Sequence, residues 1–597
     1  MALNSYITYL IPILLHDKMR IKKPDEGGAD MVHKPLPIGI DNFEKLVTRG
    51  YYYIDKTMLI KELLDQKGDV NLITRPRRFG KTLNMSMLQY FFEDARDDRG
   101  GKKDNSCLFD GLRIMEEGEQ YLSHMGQYPV INLTLKGGKQ PDFELAYAML
   151  KRQIANEYKR HRFVSQGDLL EEDRQRYYEI MVEKAGREAY IDSLQFLSQC
   201  LEKYYGKKAI ILIDEYDVPL ENAYMCGFYE EMSAFICSLF ESSLKTNSSL
   251  EFGSITGCLR ISKESIFTGM NNLKILSVLS KQYDEYFGFS DDEVEKLCVD
   301  YGMQDRFETF KEWYDGYLFG NAHVYNPWSV MQYMDDLCAD ANQYPGAYWA
   351  NTSSNSIVRT LIEMADEDTR TEIEELIEGR TIEKPVHEDI TYDEVYKTMD
   401  HLWNFMFFTG YFRKAGERMD EKTKQLYVEL TIPNQEVKYI FRTKVLGWFD
   451  EKVKARDRSG LFSALVQLDA ETVEKEIVDM LLETISFNDA YESFYHGFLA
   501  GILSGMKGYI VKSNREGGTG QSDLLIKPVT RRKPAYVLEF KVAEKFSQLD
   551  GKADEALQQI EDRGYAQELK ADGYATVYRY GIAFCGKDCL VKLSEES

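Results

Sequence analysis

The sequence predicts an α/β protein of several units, and three stretches carry that prediction. An apolar run, Val70 to Thr74, enters a basic loop ending Gly80-Lys81-Thr82 and then a helical segment, Leu83 to Phe92. A second apolar run, Ala209 to Ile213, ends in Asp214-Glu215. Near the C-terminus, Ser522 to Ile526 and Tyr536 to Lys541 read as neighbouring strands carrying acids at fixed positions. Continuous apolar runs suit parallel strands covered on both faces, and strands alternating with helical patterns suit an α/β sheet.

At 597 residues the chain exceeds one core and should divide into about three or four domains. The 98 carboxylates against 74 Lys plus Arg give a net charge of -24, which argues against a whole-protein grip on nucleic acid or anionic membrane. Any nucleic-acid contact must therefore be local. Cysteines are scattered with no C-x-x-C pair, which points to a reduced cytoplasm and away from a zinc site. The apolar patch Ile7 to Leu15 is too short to span a bilayer, so no membrane association is expected and residues 1–34 read as a disordered or extended tail.

The first domain is placed at 35–289. Tyr51 to Thr57 reads as an aromatic strand, Met58 to Gln66 as a helix, and Val70 to Thr74 as the strand leading into the loop. Strand, loop and helix in this order make a phosphate-binding loop: backbone N–H groups at a helix N-terminus cradle phosphate oxygens, Lys81 reaches the β/γ phosphates, and the Thr82 hydroxyl ligates Mg²⁺. Arg75 stands where such loops usually begin with glycine. Tyr128 to Leu135 reads as a further strand, followed by helices over Phe143 to Tyr158, Glu171 to Ala185 and Ala189 to Tyr205. At the end of the second apolar run, Asp214 is positioned to hold the Mg²⁺ of a bound nucleotide and Glu215 to orient or deprotonate an attacking water. The strand Glu251 to Thr256 ends beside Arg260, and these two residues are candidates to sense and neutralise a γ-phosphate. A strand intervening between loop and acid pair, here Pro129 to Leu133, together with a glutamate after the metal aspartate, is the pattern of ATPases that carry their own catalytic acid.

Leu36-Pro37-Ile38-Gly39, Tyr53-Ile54-Asp55-Lys56-Thr57, Arg75-Pro76-Arg77-Arg78-Phe79-Gly80-Lys81-Thr82 and Ile213-Asp214-Glu215-Tyr216-Asp217 together resemble the bacterial predicted AAA-ATPase-like family. Tyr286-Phe287-Gly288-Phe289, Trp313-Tyr314-Asp315-Gly316-Tyr317 and Tyr325-Asn326-Pro327-Trp328-Ser329 fit the same family. The resemblance implies a P-loop NTPase with a parallel sheet that binds ATP and Mg²⁺ through residues 75 to 82, Asp214, Thr256 and Arg260. It also makes Arg75 a family trait.

Residues 290–470 read as a helical lid or spacer. Within them the apolar helix His401 to Tyr411 precedes two β-like runs, Tyr411 to Ala415 and Gln425 to Thr431, around a charged tip. That order also fits a winged-helix-like unit.

The last domain is placed at 471–597. A helix containing Tyr491 to His496 precedes a strand, Tyr509 to Asn514, and a glycine turn leading to Asp523. Side chains alternate along a strand, so Glu539 and Lys541 share one face; antiparallel pairing would bring Asp523 to it. Two carboxylates and a lysine on adjoining strands suit metal-dependent phosphodiester cleavage. The helix Lys552 to Arg563 follows, and the whole order resembles the PD-(D/E)XK nuclease superfamily. The resemblance implies a restriction-endonuclease-like fold with Asp523 and Glu539 as metal ligands for Mg²⁺ or Mn²⁺, Lys541 as catalytic lysine, Glu492 as a further acid and Gln559 as a supporting residue. Lys527, Arg531, Arg532 and Lys533 cluster between the acid-bearing strands and are candidates to meet phosphates.

The expectation is an ATP-binding, ATP-hydrolysing protein with a nuclease domain acting on nucleic acid, DNA favoured over RNA, and compatible with an oligomer. The competing expectation is a nucleotide-dependent switch or scaffold whose nuclease-like domain binds nucleic acid or protein without cutting.

Overall fold

The computed structural model describes residues 33–97, 99–259, 266–267, 270–349, 356–387, 390–395, 397–444, 457–482, 492–504, 506–513 and 523–595. Three sheets organise it. The first is built from β1 (Val70–Thr74), β2 (Val130–Thr134), β3 (Ala209–Asp214), β4 (Leu250–Gly257) and β5 (Leu273–Leu276), in the order β2-β3-β4-β1-β5. Every pairing in it is parallel. All residues of β1 and β3 are buried, Asn71 of β1 among them, as suits strands covered on both faces. Helix α1 (Lys81–Phe92) leaves the loop after β1 and packs back on the sheet.

One local expectation changes here, the Tyr51 to Thr57 strand, and sheet order departs from sequence order. The strand that separates β1 from β3 in space is β4, while β2, which lies between them in sequence, takes the sheet edge. Tyr51 to Thr57 joins no sheet among the described residues, and its last residue, Thr57, already has helical backbone angles at the start of the helix Met58–Gln66. Its polar groups clasp other parts of the fold: Tyr52 N donates to the Pro35 carbonyl at 2.9 Å, and the buried Lys56 ammonium reaches both carboxylate oxygens of Glu293 at 2.7 and 2.6 Å. Asp55 accepts from Thr57 N at 2.8 Å and from Arg113 N at 2.7 Å.

A short hairpin, β6 (Tyr317–Phe319) and β7 (Ala322–Val324), leads to helix α2 (Pro327–Ala339), which Asn326 caps. There follow α3 (Glu367–Glu378), β8 (Ile382–Pro385), α4 (Tyr392–Val395), α5 (Met399–Thr409), β9 (Arg413–Met419) and β10 (Leu426–Thr431). The three strands pair antiparallel in the order β8-β10-β9. Helix, strand, two helices and a hairpin whose second strand pairs with the first strand make a winged-helix-like unit. Its α5 is sunk in the core through Leu402, Trp403, Met406 and Phe407, so the apolar density of this helix serves packing.

Helices α6 (Ser459–Gln467) and α7 (Ala470–Leu482) belong with the C-terminal unit. The Tyr580 hydroxyl donates to the Leu465 carbonyl at 3.0 Å, and Val591 N donates to the Glu474 carboxylate at 3.0 Å. The sheet of that unit runs β11 (Tyr509–Ser513), β12 (Leu524–Pro528), β13 (Ala535–Val542), β14 (Val577–Cys585), β15 (Asp588–Glu595), with β13 and β14 parallel and the other neighbours antiparallel. Helix α8 (Glu492–Leu503) precedes the sheet, and α9 (Leu549–Asp562) crosses between β13 and β14. A Cβ at Gly581 would lie 2.4 Å from the Ala553 carbonyl oxygen, so only glycine lets α9 approach β14 this closely. Among the described residues no helix is long and apolar enough to cross a membrane.

Candidate functional sites

The loop after β1 turns on two left-handed residues, Arg78 at φ 73° and Gly80 at φ 78°. Thr82 and Lys81 open α1 behind it. The Lys81 ammonium donates to the Arg75 and Pro76 carbonyls at 2.8 Å each, folded onto its own loop. The Thr82 hydroxyl donates to the Asp214 carboxylate at 2.7 Å, and the Thr256 hydroxyl donates to the other oxygen of that carboxylate. Strand order explains the meeting: β4 lies between β1 and β3, so its C-terminal threonine stands beside the β3 aspartate. A hydroxyl and a carboxylate so placed fit a hard divalent cation, which takes oxygen donors.

Glu215, next along the chain, adopts a left-handed φ of 55°. Burial, and then the neighbouring Asp214 charge, push its carboxyl above the ordinary range. Its main-chain carbonyl accepts from Val218 N at 3.3 Å, while its carboxylate has no hydrogen-bond partner among the described residues and is available to a water. Asp217, also buried, accepts from Cys258 N at 2.7 Å and Leu259 N at 3.2 Å and so fastens the end of β4.

Arg75 takes a different place from the rest of the loop. It is 0% exposed and turns inward, donating to the carbonyls of Thr74 at 2.8 Å, Leu276 at 2.9 Å and Tyr283 at 3.3 Å. Burial lowers its guanidinium to about 10. The Phe287 and Phe319 rings lie 5.5 and 5.2 Å from it. Phe79 is likewise buried against Tyr317 and Phe319, and Pro76 meets Gly410. A Cβ at Gly410, whose φ is 94°, would come within 2.9 Å of Pro76. Arg75, Pro76 and Phe79 therefore hold the loop from behind. On the front, Arg77 pairs with Glu221, and Arg78 lies over the Trp328 ring at 4.3 Å. Arg260 falls outside the described residues.

A cavity of about 630 Å³ opens over the loop, lined by Lys81, Thr82 and Glu215 on one side and by Trp328, Trp349 and Phe405 on the other. Trp328 of α2, Trp349 and, from the winged-helix-like unit, Phe405 thus roof the phosphate loop. Glu436 holds this roof together: it accepts from the Ser329 hydroxyl at 3.0 and 2.8 Å and from Trp349 N at 2.8 Å. The roof and the contacts of Glu436 are not legible in the sequence, because Ser329 and Trp349 lie 107 and 87 residues from Glu436.

In the C-terminal unit Leu524 pairs with Leu538, and continuing that antiparallel register sets Asp523 opposite Glu539. Asp523 N donates to the Glu539 carboxylate at 3.2 Å, and Phe540 N donates to the Asp523 carboxylate at 2.8 Å. Lys541 Nζ lies 3.7 Å from Glu539 Oε1, and Gln559 on α9 donates to that same oxygen. Glu539 is 2% exposed, so these polar neighbours are what make its burial tolerable. Among the described residues no three His, Cys, Asp or Glu side chains gather as a metal cluster. Mg²⁺ is commonly held by one or two carboxylates and several waters, and Asp523 with Glu539 fits that donor set. The side chain of Glu492, at the start of α8, lies outside the described residues.

The basic group Arg531, Arg532 and Lys533 sits in the turn between β12 and β13, at the end remote from Asp523. Pro528 lies five residues along the strand from Asp523, a distance of roughly 17 Å at about 3.3 Å per residue. Lys527 pairs with Asp572 at 3.1 Å, and Lys533 lies over Tyr509 at 5.6 Å. This group is therefore a separate patch from the acid site.

Residues 37–267 match the family model described as Predicted AAA-ATPase, and residues 490–593 match the PD-(D/E)XK nuclease superfamily. A protein of Azotobacter chroococcum mcd 1, described as an uncharacterized protein in the vnfD 5' region, is 25% identical over 570 residues. That alignment covers 93% of this chain and 97% of the relative.

Proposed function

From a chain that carries a predicted AAA-ATPase segment and a PD-(D/E)XK nuclease superfamily segment, we propose a cytoplasmic ATPase that governs a metal-dependent nuclease acting on nucleic acid, with DNA as the favoured substrate. The observation that carries the nuclease half is the mutual locking of Asp523 and Glu539 with Lys541 beside them. The ATPase half rests on Thr82, Asp214 and Thr256 meeting at the mouth of the loop.

In the nucleotide site, Lys81 exchanges its two loop carbonyls for phosphate oxygens, and the N–H groups at the start of α1 face the same charge. Glu215 accepts the proton of the attacking water, and the aromatic roof limits access of bulk water. Thr82 and Asp214 hold Mg²⁺ in this site, with Thr256 fixing the aspartate. In the nuclease site, Asp523 and Glu539 hold Mg²⁺ or Mn²⁺, and Lys541 steadies charge developing on the phosphate. A divalent cation, when bound, supplies Lewis acidity and lowers the pKa of water. Among the described residues one ion pair joins the C-terminal unit to α3, Lys587 with Glu374 at 3.4 Å.

The test is cleavage of single- and double-stranded DNA and RNA in Mg²⁺ or Mn²⁺ by wild type, Asp523→Ala and Lys541→Ala. The proposal expects cutting by wild type that both substitutions abolish. A folded wild type that binds but cuts none of these substrates would favour the switch or scaffold reading.

A further inference from the structure

Helix α8 sends two adjacent side chains into the frame of the nuclease site. Tyr495 stacks on Phe584 with centroids 4.1 Å apart and 7° between planes, and its hydroxyl donates to the Gly586 carbonyl at 2.8 Å. This anchors the helix to the sheet and fixes the position of the next residue. His496 is 6% exposed, and its ring lies edge-to-face with Phe540 at 6.1 Å. Its Nε2 is 2.9 Å from the main-chain carbonyl oxygen of Asp523. A carbonyl can only accept, so Nε2 carries the proton and donates.

The contact matters because of where Asp523 stands. Pairing between β12 and β13 begins at Leu524, so the Asp523 carbonyl lies just beyond that paired run. The imidazole supplies a bond at the place where the ladder stops. Several groups hold this one residue, among them Glu539, which accepts from its N–H, Phe540 N, which donates to its carboxylate, and His496, which donates to its carbonyl. Phe540, the ring against which His496 packs, is the residue whose amide holds the Asp523 carboxylate. Loss of the imidazole therefore loosens the aspartate from two directions.

We propose that His496 is a positioning residue for Asp523, holding its backbone so that the Asp523 and Glu539 carboxylates face one divalent cation. The proposal rests on the nuclease reading above. Removing a partner of a metal ligand typically weakens metal binding about 10- to 100-fold, and that is the loss expected for His496→Leu, which keeps bulk and removes the donor. His496→Gln places an amide donor near the same point and should remain within a few-fold of wild type.

The experiment is Mn²⁺ binding to the full-length, nucleotide-free protein, read by the electron paramagnetic resonance signal of free Mn²⁺. Wild type, Asp523→Asn, His496→Leu and His496→Gln are compared, with the thermal midpoint of each recorded. The Thr82 and Asp214 site is common to all four, so differences isolate the C-terminal site. The expected result is a site that Asp523→Asn lacks, that His496→Leu weakens 10- to 100-fold and that His496→Gln keeps. If His496→Leu does not fold, His496→Asn takes its place, since it keeps polarity and shortens the donor's reach. Wild-type Mn²⁺ affinity in a folded variant without the donor overturns the proposal while leaving the nuclease reading intact. Identical binding by wild type and Asp523→Asn overturns the metal reading and the proposal with it.

Discussion

Glu436 offers a test of the roof over the nucleotide cavity. It is 0% exposed, forms no ion pair among the described residues, and has its carboxyl raised from the ordinary 4.5 to about 7, chiefly by burial. Hydrogen bonds from Trp349 N and the Ser329 hydroxyl oppose that rise only in part. The folded pKa lies above the unfolded one. Below pH 4.5 both states are protonated and the residue costs nothing. Between about 4.5 and 7 the unfolded chain ionises while the folded one holds its proton, so stability falls as pH rises, and above 7 the loss is complete. At about 1.4 kcal/mol per pKa unit the full loss is about 3 kcal/mol. Glu436→Gln keeps an oxygen acceptor for Trp349 N and cannot ionise. It should stabilise this unit by up to about 3 kcal/mol at pH 8 and by close to nothing at pH 4.5. With a urea dependence of about 2–3 kcal/mol per molar, the midpoint should rise by about 1 M at pH 8. All 5 tryptophans lie between Trp313 and Trp448, so intrinsic fluorescence reads this part of the chain alone. Equal shifts at the two pH values, or a lower midpoint at pH 8, would refute the reasoning.

Three further outcomes follow from the same geometry. Arg75→Lys should cost about 2–4 kcal/mol, because an ammonium cannot serve three carbonyls spread around a planar guanidinium, and should weaken binding of a fluorescent ATP analogue; an unchanged urea midpoint would contradict the anchoring role. Glu215→Gln should reduce ATP hydrolysis about 10²- to 10⁴-fold with ATP binding kept within a few-fold. In wild type the acidic limb of the hydrolysis profile should lie above the ordinary carboxylate range, since the folded carboxyl is raised and only its ionised form accepts a proton; a limb at or below that range would count against it as the base. Gly581→Val should force α9 off β14 and abolish cleavage while leaving nucleotide binding intact, and retained cleavage would argue against the close packing described.

Local patterns were legible where chemistry and spacing coincide in one stretch. The apolar runs of β1 and β3, the Lys81-Thr82 start of α1 and the two-residue spacing of Glu539 and Lys541 all translate directly into buried strands, a helix N-terminus and one strand face. What depended on distant packing was not legible. Arg75 reads as one more loop cation, and only the carbonyls of Leu276 and Tyr283, some 200 residues on, turn it inward. Sheet order is likewise set by distant packing: β2 lies between β1 and β3 in sequence, while β4 lies between them in the sheet. Tyr51 to Thr57 has the composition of a strand, but its polar groups are taken by Glu293 and Arg113 and it finds no ladder. Nothing local indicates that His496 reaches Asp523, 27 residues ahead.

The measurement that bears most directly on the account is cleavage by the full-length protein in Mg²⁺ across an ATP titration, for wild type and Lys81→Ala. Coupling between sites is typically 5-fold or more. The account predicts that ATP changes the wild-type cleavage rate by about that factor, in either direction, and leaves the Lys81→Ala rate unmoved. Wild-type cleavage that is the same at every ATP concentration would contradict nucleotide control of the nuclease.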